Sequence, residues 1–142
     1  MPILQAKYMQ RIILILLSSL ILGCTDDIVT TKFTDLQHAK AEHAFERGWL
    51  PPILPPSTKN IIEINDLDLS RGHGSFTFSP TDLNYFSAQG AIPIKMNNAT
   101  QGKKKEMQDQ GFQFLVYAQG SSIWYIAVHP EGKGAYWIES IQ

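Results

Sequence analysis

"FQFLVYAQGSSIWYIAVHPEGKGAYWIESIQ", residues 112–142, decides the fold class. Three runs in it, 112–119, 121–129 and 134–142, are dense in aromatic and β-branched residues, which pack well on a pleated surface. Gly120-Ser121 and Pro130-Glu131-Gly132-Lys133 supply turn chemistry between them. Loops this short join antiparallel neighbours, so the stretch predicts a three-stranded meander. Side chains alternate faces along a strand, so Trp124 and Tyr125 point to opposite sides, as do Tyr136 and Trp137.

Working outward, "IIEINDLDLS" (61–70) sets Ile62, Ile64, Leu67 and Leu69 against polar neighbours with one phase slip at Asn65-Asp66. A strand with a bulge at the slip is expected. "RGHG" (71–74) reads as a turn and "SFTFS" (75–79) as the strand that pairs back in a hairpin. A helix is expected from Ser79 as N-cap, with Pro80 at its first position and Asp82 two places on. A longer one is expected over "FTDLQHAKAEHAFERG" (33–48). Its signals are Thr34 and Gln37 as a capping box, Arg47 in the last turn and Gly48 as the stop. Between helix and hairpin, "GWLPPILPPSTKN" (48–60) carries four prolines in thirteen residues, which forbid helix and disfavour sheet. Its apolar residues Trp49, Leu50, Ile53 and Leu54 predict a strap packed on the domain. Residues 91–111 are the least defined, with Lys103 to Lys105 read as a solvated loop or one helical turn. The sum is an α+β domain: one mostly antiparallel sheet of about five strands, with two helices and the proline-rich strap.

The N-terminal end bounds the location. Lys7 and Arg11 precede twelve uncharged residues, 12–23, which fall short of the about 20 that span a bilayer. A basic start, an apolar run of this length and a small residue at its end fit a secretory signal, with Met1 or Met9 as its start. "ILGC" (21–24) resembles the lipobox of bacterial lipoproteins. That resemblance implies a signal peptide at 1–23, cleavage before Cys24, acylation of the Cys24 thiol and attachment to a membrane through the acyl chains. Thr25 after the cysteine, where Asp favours inner-membrane retention, points to the outer membrane facing the periplasm, with the inner membrane as the alternative. Residues 24–32 then read as a tether and 33–142 as a single globular domain. Loss of Lys7 and Arg11 leaves 10 basic against 13 acidic residues, a net charge of −3, which argues against nucleic acid as a partner. Cys24 is the one cysteine, so no intramolecular disulfide can form.

No arrangement of residues specifies catalysis, a metal or a cofactor, and none of the three is expected. His38 and Glu42 have helical ligand spacing, but His43 lies five places from His38 and diverges. Asp66 and Asp68 share a strand face without the ligand count or glycine-centred loop of a calcium site. Gly72 and Gly74 around His73 are explained by a turn. The aromatic load is the stronger signal: Trp49, Trp124, Tyr125, Tyr136 and Trp137 form the candidate binding surface, since exposed Trp and Tyr anchor interfaces. At residues 44–79, Trp49, Leu50, Pro51, Leu54, Pro55, Ser57, Ile61, Asp66 and Asp68 make the chain resemble a family of small proteobacterial proteins, many of them lipoproteins. That resemblance implies no activity. The function expected is a lipid-anchored, non-catalytic module that binds another envelope protein or a secreted one, as immunity lipoproteins bind toxins. An envelope assembly lipoprotein is the alternative, and a periplasmic hydrolase the third reading.

Overall fold

The computed structural model describes residues 27–95 and 102–140. Along the chain the elements are β1 (Ile28–Asp35), α1 (Leu36–Ala41), β2 (Lys59–Asp66), β3 (Arg71–Thr77), α2 (Tyr85–Ala88), β4 (Ile92–Ile94), α3 (Lys103–Asp109), β5 (Gln113–Gln119), β6 (Ser122–His129) and β7 (Lys133–Ser140). The strands form one antiparallel sheet in the order β1-β2-β3-β7-β6-β5-β4. The expectation of an α+β domain with about five strands is therefore wrong. The fold is mostly β, with seven strands among the described residues and helices of only six, four and seven residues.

The C-terminal meander forms as its turn residues dictate, with Gln119 paired to Ser122 and His129 to Lys133. The two unforeseen strands lie where the pattern is weak. β1 occupies residues read as tether and helix start, so sheet begins at Ile28 and not after Lys32. Its partner β2 lies about 30 residues on, a pairing that no local pattern encodes. β4 has three residues with Pro93 at its centre, which an edge strand tolerates because its outer N–H has no ladder partner to lose.

The first helix is shorter than expected because it stops at a residue other than glycine. Asp35, not Thr34, is the cap, and its Oδ1 accepts the His38 N–H at 2.8 Å. His43 adopts a left-handed φ of 55°, and the Ala44 N–H donates back to the Ala39 carbonyl at 2.9 Å. That is a Schellman closure without glycine. The Ser79 helix is likewise broken, into a 3₁₀ turn at Pro80–Asp82 and the four-residue α2.

The proline strap packs inward as expected. Leu50, Pro51, Ile53, Leu54 and Pro55 are buried, and Ser57 Oγ donates to Asp82 Oδ2 while accepting the Ser79 N–H at 3.0 Å. Strap, α1 and α2 thus seal one sheet face over Ile61, Phe76, Leu115, Trp124, Ile126, Val128, Tyr136 and Ile138. The opposite face is covered unevenly. There α3 seats Met107 on Phe114 and Ala127, with Phe112 and Trp137 beside them.

Candidate functional site

Register across the sheet places two polar side chains of β2, Glu63 and Asn65, inside the covered core. Thr31, Glu63, Gly74, Tyr136 and Ile126 face one another in successive strands, as do Val29, Asn65, Gly72, Ile138 and Trp124 in the next row. Glu63 and Asn65 therefore share the sealed face with Ile61, while Ile62 and Ile64 point to the other side. The slip that sets this parity lies between Lys59 and Ile62, not at Asn65-Asp66. Asn60 stands there at a φ of 51°, and its Nδ2 donates to Thr77 Oγ1 at 3.1 Å.

Gly72 and Gly74 lie in β3 rather than in a turn; the chain reverses at residues 67–70. They are small because neighbouring atoms already occupy the space: the Ile62 carbonyl and the Tyr136 ring at Gly74, and Asn65 Oδ1, Ile138 and Trp49 at Gly72. A methyl group on Gly74 would stand 2.6 Å from Tyr136 Cε1, and one on Gly72 would stand 3.0 Å from Trp49 Cε3. The Tyr136 ring crosses Gly74 toward Glu63, whose charge, after burial itself, holds the phenol well above its ordinary pKa.

Glu63 is 1 % exposed. Asn65 Nδ2 donates to its Oε1 at 2.6 Å, and Arg47 Nη2 stands 4.0 Å away. Burial raises the Glu63 pKa; the Asn65 hydrogen bond and the Arg47 charge offset this only in part. Among the described residues, four buried side-chain atoms have no hydrogen-bond partner: Glu63 Oε2, Asn65 Oδ1, the Tyr136 hydroxyl and Trp124 Nε1. Glu63 and Asn65 line a cleft of about 330 Å³ between β1 and the 42–49 turn, with Phe33, Arg47, Trp49 and Leu67 among its other walls.

The second feature lies on the other face. Ile64, His73, Trp137 and Tyr125 are aligned across β2, β3, β7 and β6. Trp137 and Tyr125 are half-buried, and Lys104 of α3 sits over both rings, 5.2 Å from the Tyr125 centroid and 5.3 Å from that of Trp137. Beside them an open groove of about 630 Å³ is bounded by Leu69, Arg71, His73, Lys104, Trp137 and Glu139. Leu69 at the groove mouth is 60 % exposed.

The five aromatics expected on a binding surface are therefore divided. Tyr125 and Trp137 share one open face. Trp124 and Tyr136 are core residues on the sealed face and leave the candidate surface, because the strap and helices cover them. Trp49 is half-buried against the core and lines the Glu63 cleft instead. His38 accepts the Thr34 N–H on Nδ1 and stacks edge-on against Phe33. Asp66 Oδ1 accepts the Leu69 N–H at 3.0 Å, which shapes the β2–β3 turn. Cys24, the signal segment and the presumed start positions lie outside the described residues. Glu63, Asn65 and Arg47 were legible only in part: a charged residue two places from Ile61 marks the buried parity once the bulge at Asn60 is placed.

Residues 27–77 match the family model of the YbbD head domain. The family consists of small bacterial, envelope-associated proteins. The matched third of the chain runs from β1 through β3 and overlaps the 44–79 stretch that carries the resemblance noted in the sequence. It contains Arg47, Trp49, Glu63 and Asn65, whereas Tyr125, Trp137 and Lys104 lie beyond it. No match is found among curated proteins or among solved structures. No helix of the described residues is long and apolar enough to cross a membrane.

Proposed function

We propose that this protein is a lipid-anchored protein of the bacterial envelope that acts as a non-catalytic protein-binding module, and that its open sheet face is the contact surface. The observation that carries the reading is the inequality of the two faces. One is sealed by the strap, α1 and α2; the other leaves Tyr125, Trp137 and Ile64 half-covered and His73 exposed beside the Leu69 groove. Half-exposed Trp and Tyr on rigid strands are efficient anchors because little side-chain freedom is lost on binding. Lys32, Arg71, Lys104 and Lys133 stand on or over this face against Asp66 and Glu139, although the whole chain is net negative. The partner that fits is a protein surface with apolar residues ringed by carboxylates.

The anchor rests on Lys7, Arg11, the apolar run and Gly23-Cys24, with the envelope-associated family match as independent support. Two or more acyl chains on Cys24 hold a protein on a bilayer stably, at about 0.8 kcal/mol per buried methylene. The Cys24→Ser variant is expected to lose membrane association; undiminished flotation with membranes contradicts the anchor.

The contact surface is tested by placing a photo-cross-linking residue at Tyr125, at Trp137 or at the exposed Gln89 of the full-length protein in its own cells. Discrete adducts to one protein from the first two positions, and none from Gln89, are expected. Equal labelling from all three positions, or none from the open face, contradicts the surface. A toxin gene beside this one would identify the partner class as a toxin.

A further inference from the structure

We propose that two copies of this chain pair antiparallel through the outer edges of their β1 strands, about a twofold axis at Thr30. The contact lies on a sheet edge. It is separate from the open face described above and independent of the lipid anchor.

The inference starts from the inequality of the two sheet edges. β4 closes one side with three residues and Pro93, which protect an edge against further pairing. β1 closes the other with eight, "IVTTKFTD", which hold no proline, no glycine and a single charge, Lys32, before the terminal Asp35. Ile28 and Val29 on this strand are 55 % and 46 % exposed. A long edge without protection is a template for another strand.

Backbone parity says which groups the edge offers. The Leu67 N–H donates to the Asp27 carbonyl at 3.1 Å, one step beyond the Ile28–Asp66 pair of the β1–β2 register. Asp27, Val29, Thr31 and Phe33 therefore turn their backbone toward β2, and Ile28, Thr30, Lys32 and Thr34 turn theirs outward. Thr34 agrees with this parity: its N–H is spent outside the sheet, on His38 Nδ1 at 3.2 Å. Ile28, Thr30 and Lys32 remain, without a strand on their outer side among the described residues. A twofold axis at Thr30 sets Thr30 against Thr30 and Ile28 against Lys32 at both ends. Each such pair exchanges two hydrogen bonds, about six in all. The ladder stops at Lys32, short of the His38 ring that occupies Thr34.

The occupant follows from charge. In its own chain Lys32 has Ile62 and then Ser75 along its row of the sheet. Across the axis it faces Ile28 of the second copy, whose neighbour in the same row is Asp66. Adjacent strands lie about 4.8 Å apart, so the Lys32 backbone stands about 10 Å from that of Asp66 in the second copy, a gap its long side chain crosses over Ile28. The symmetry forms this attraction twice and sets no like charges opposite each other. The two threonines that meet on the axis are a favourable cross-strand pair. The free edge of β1 is thus complementary to itself at each of its three outward positions.

The test is sedimentation velocity of the full-length chain in non-ionic detergent, with micelles in large excess so that two chains do not share one by chance. A concentration-dependent dimer is expected. Ile28→Lys sets a lysine against Lys32 at both ends of the ladder and should weaken the dimer about tenfold. Adding Lys32→Glu turns each repulsion into an attraction and should recover that factor of about ten. Both side chains are exposed, and recovery by a second substitution separates the charge effect from misfolding. In the protein's own cells, a photo-cross-linking residue at Thr30 should give an adduct of twice the chain's mass. A chain that stays monomeric up to about 100 µM, an unchanged dimer in Ile28→Lys, or no recovery in the double variant overturns the proposal. Adducts from Thr30 to a different protein alone assign the edge to that protein and overturn it as well.

Discussion

Gly74→Ala tests the internal geometry most sharply, because Gly74 is where Glu63, β3 and the Tyr136 ring converge. The Cβ added by this change meets the Ile62 carbonyl oxygen at less than contact distance, and Tyr136 Cε1 and Cζ at 2.6 and 2.7 Å. One neighbour is backbone held in the β2–β3 ladder; the other is a ring fully buried between strap and sheet. Neither can move away cheaply. Overpacking a well-filled core costs about 1–3 kcal/mol, and three simultaneous contacts put this site at about 3 kcal/mol. For a domain of this size one kcal/mol moves the melting point by about 4 °C, so Tm should fall by about 10 °C. Thermal unfolding followed by far-ultraviolet circular dichroism reads this directly. Tyr136→Leu removes two of the three contacts, so the double variant should be about 1 kcal/mol more stable than the sum of the single effects requires. A Gly74→Ala melting point within about 2 °C of the unmutated protein would show that the ring does not cross Gly74. The pairing of Gly74 with Tyr136 would then be wrong.

Further outcomes follow from the same contacts. The Glu63 carboxyl holds its proton more tightly in the folded chain, so it favours folding below the ordinary carboxylate range, and that contribution is lost as pH rises through the raised pKa. Glu63→Gln should therefore match the unmutated protein near pH 4 and exceed it at pH 8 by about 1–3 kcal/mol, read as the difference in Tm between the two proteins at each pH. A difference that is flat with pH would remove Glu63 as a strained buried acid. Leu50→Ala, in the fully buried strap, should cost about 2–5 kcal/mol in denaturant unfolding; a cost under 1 kcal/mol would place the strap outside the core. Trp137→Ala, on the half-open face, should cost about 1–3 kcal/mol through lost packing beneath α3, leaving the domain folded, while abolishing the cross-links formed from Tyr125. Persistence of those adducts would separate Trp137 from the contact surface.

How far the fold could be read from sequence depended on whether the decisive signal was local. The meander was legible because each strand is bounded by its own turn residues, and the strap because prolines and apolar residues alternate in it. β1 was not legible: "IVTTKFTD" has too few apolar residues to stand out, and its strand character comes from pairing with β2. The end of α1 was hidden because His43, rather than Gly48, takes the left-handed position. The cleft was hidden by parity. Ile61, Ile62 and Ile64 offer apolar residues to both faces, so alternation alone cannot say which face is sealed. The bulge at Asn60 decides it, and with it the burial of Glu63 and Asn65. The same parity explains the divided aromatics: the sequence shows that Trp124 and Tyr125 point apart, and the strap determines which of them is lost to the core.

The central claim is that one sheet face is sealed and the other is free to receive a partner. Relaxation of the three tryptophan indole N–H signals by a soluble gadolinium chelate tests it without mutation. The account predicts strong relaxation of Trp137, protection of Trp124, and protection of Trp137 as well once the cross-linked partner is in place. Relaxation of Trp124 equal to that of Trp137 in the free protein, or an undiminished effect at Trp137 in the complex, would contradict it.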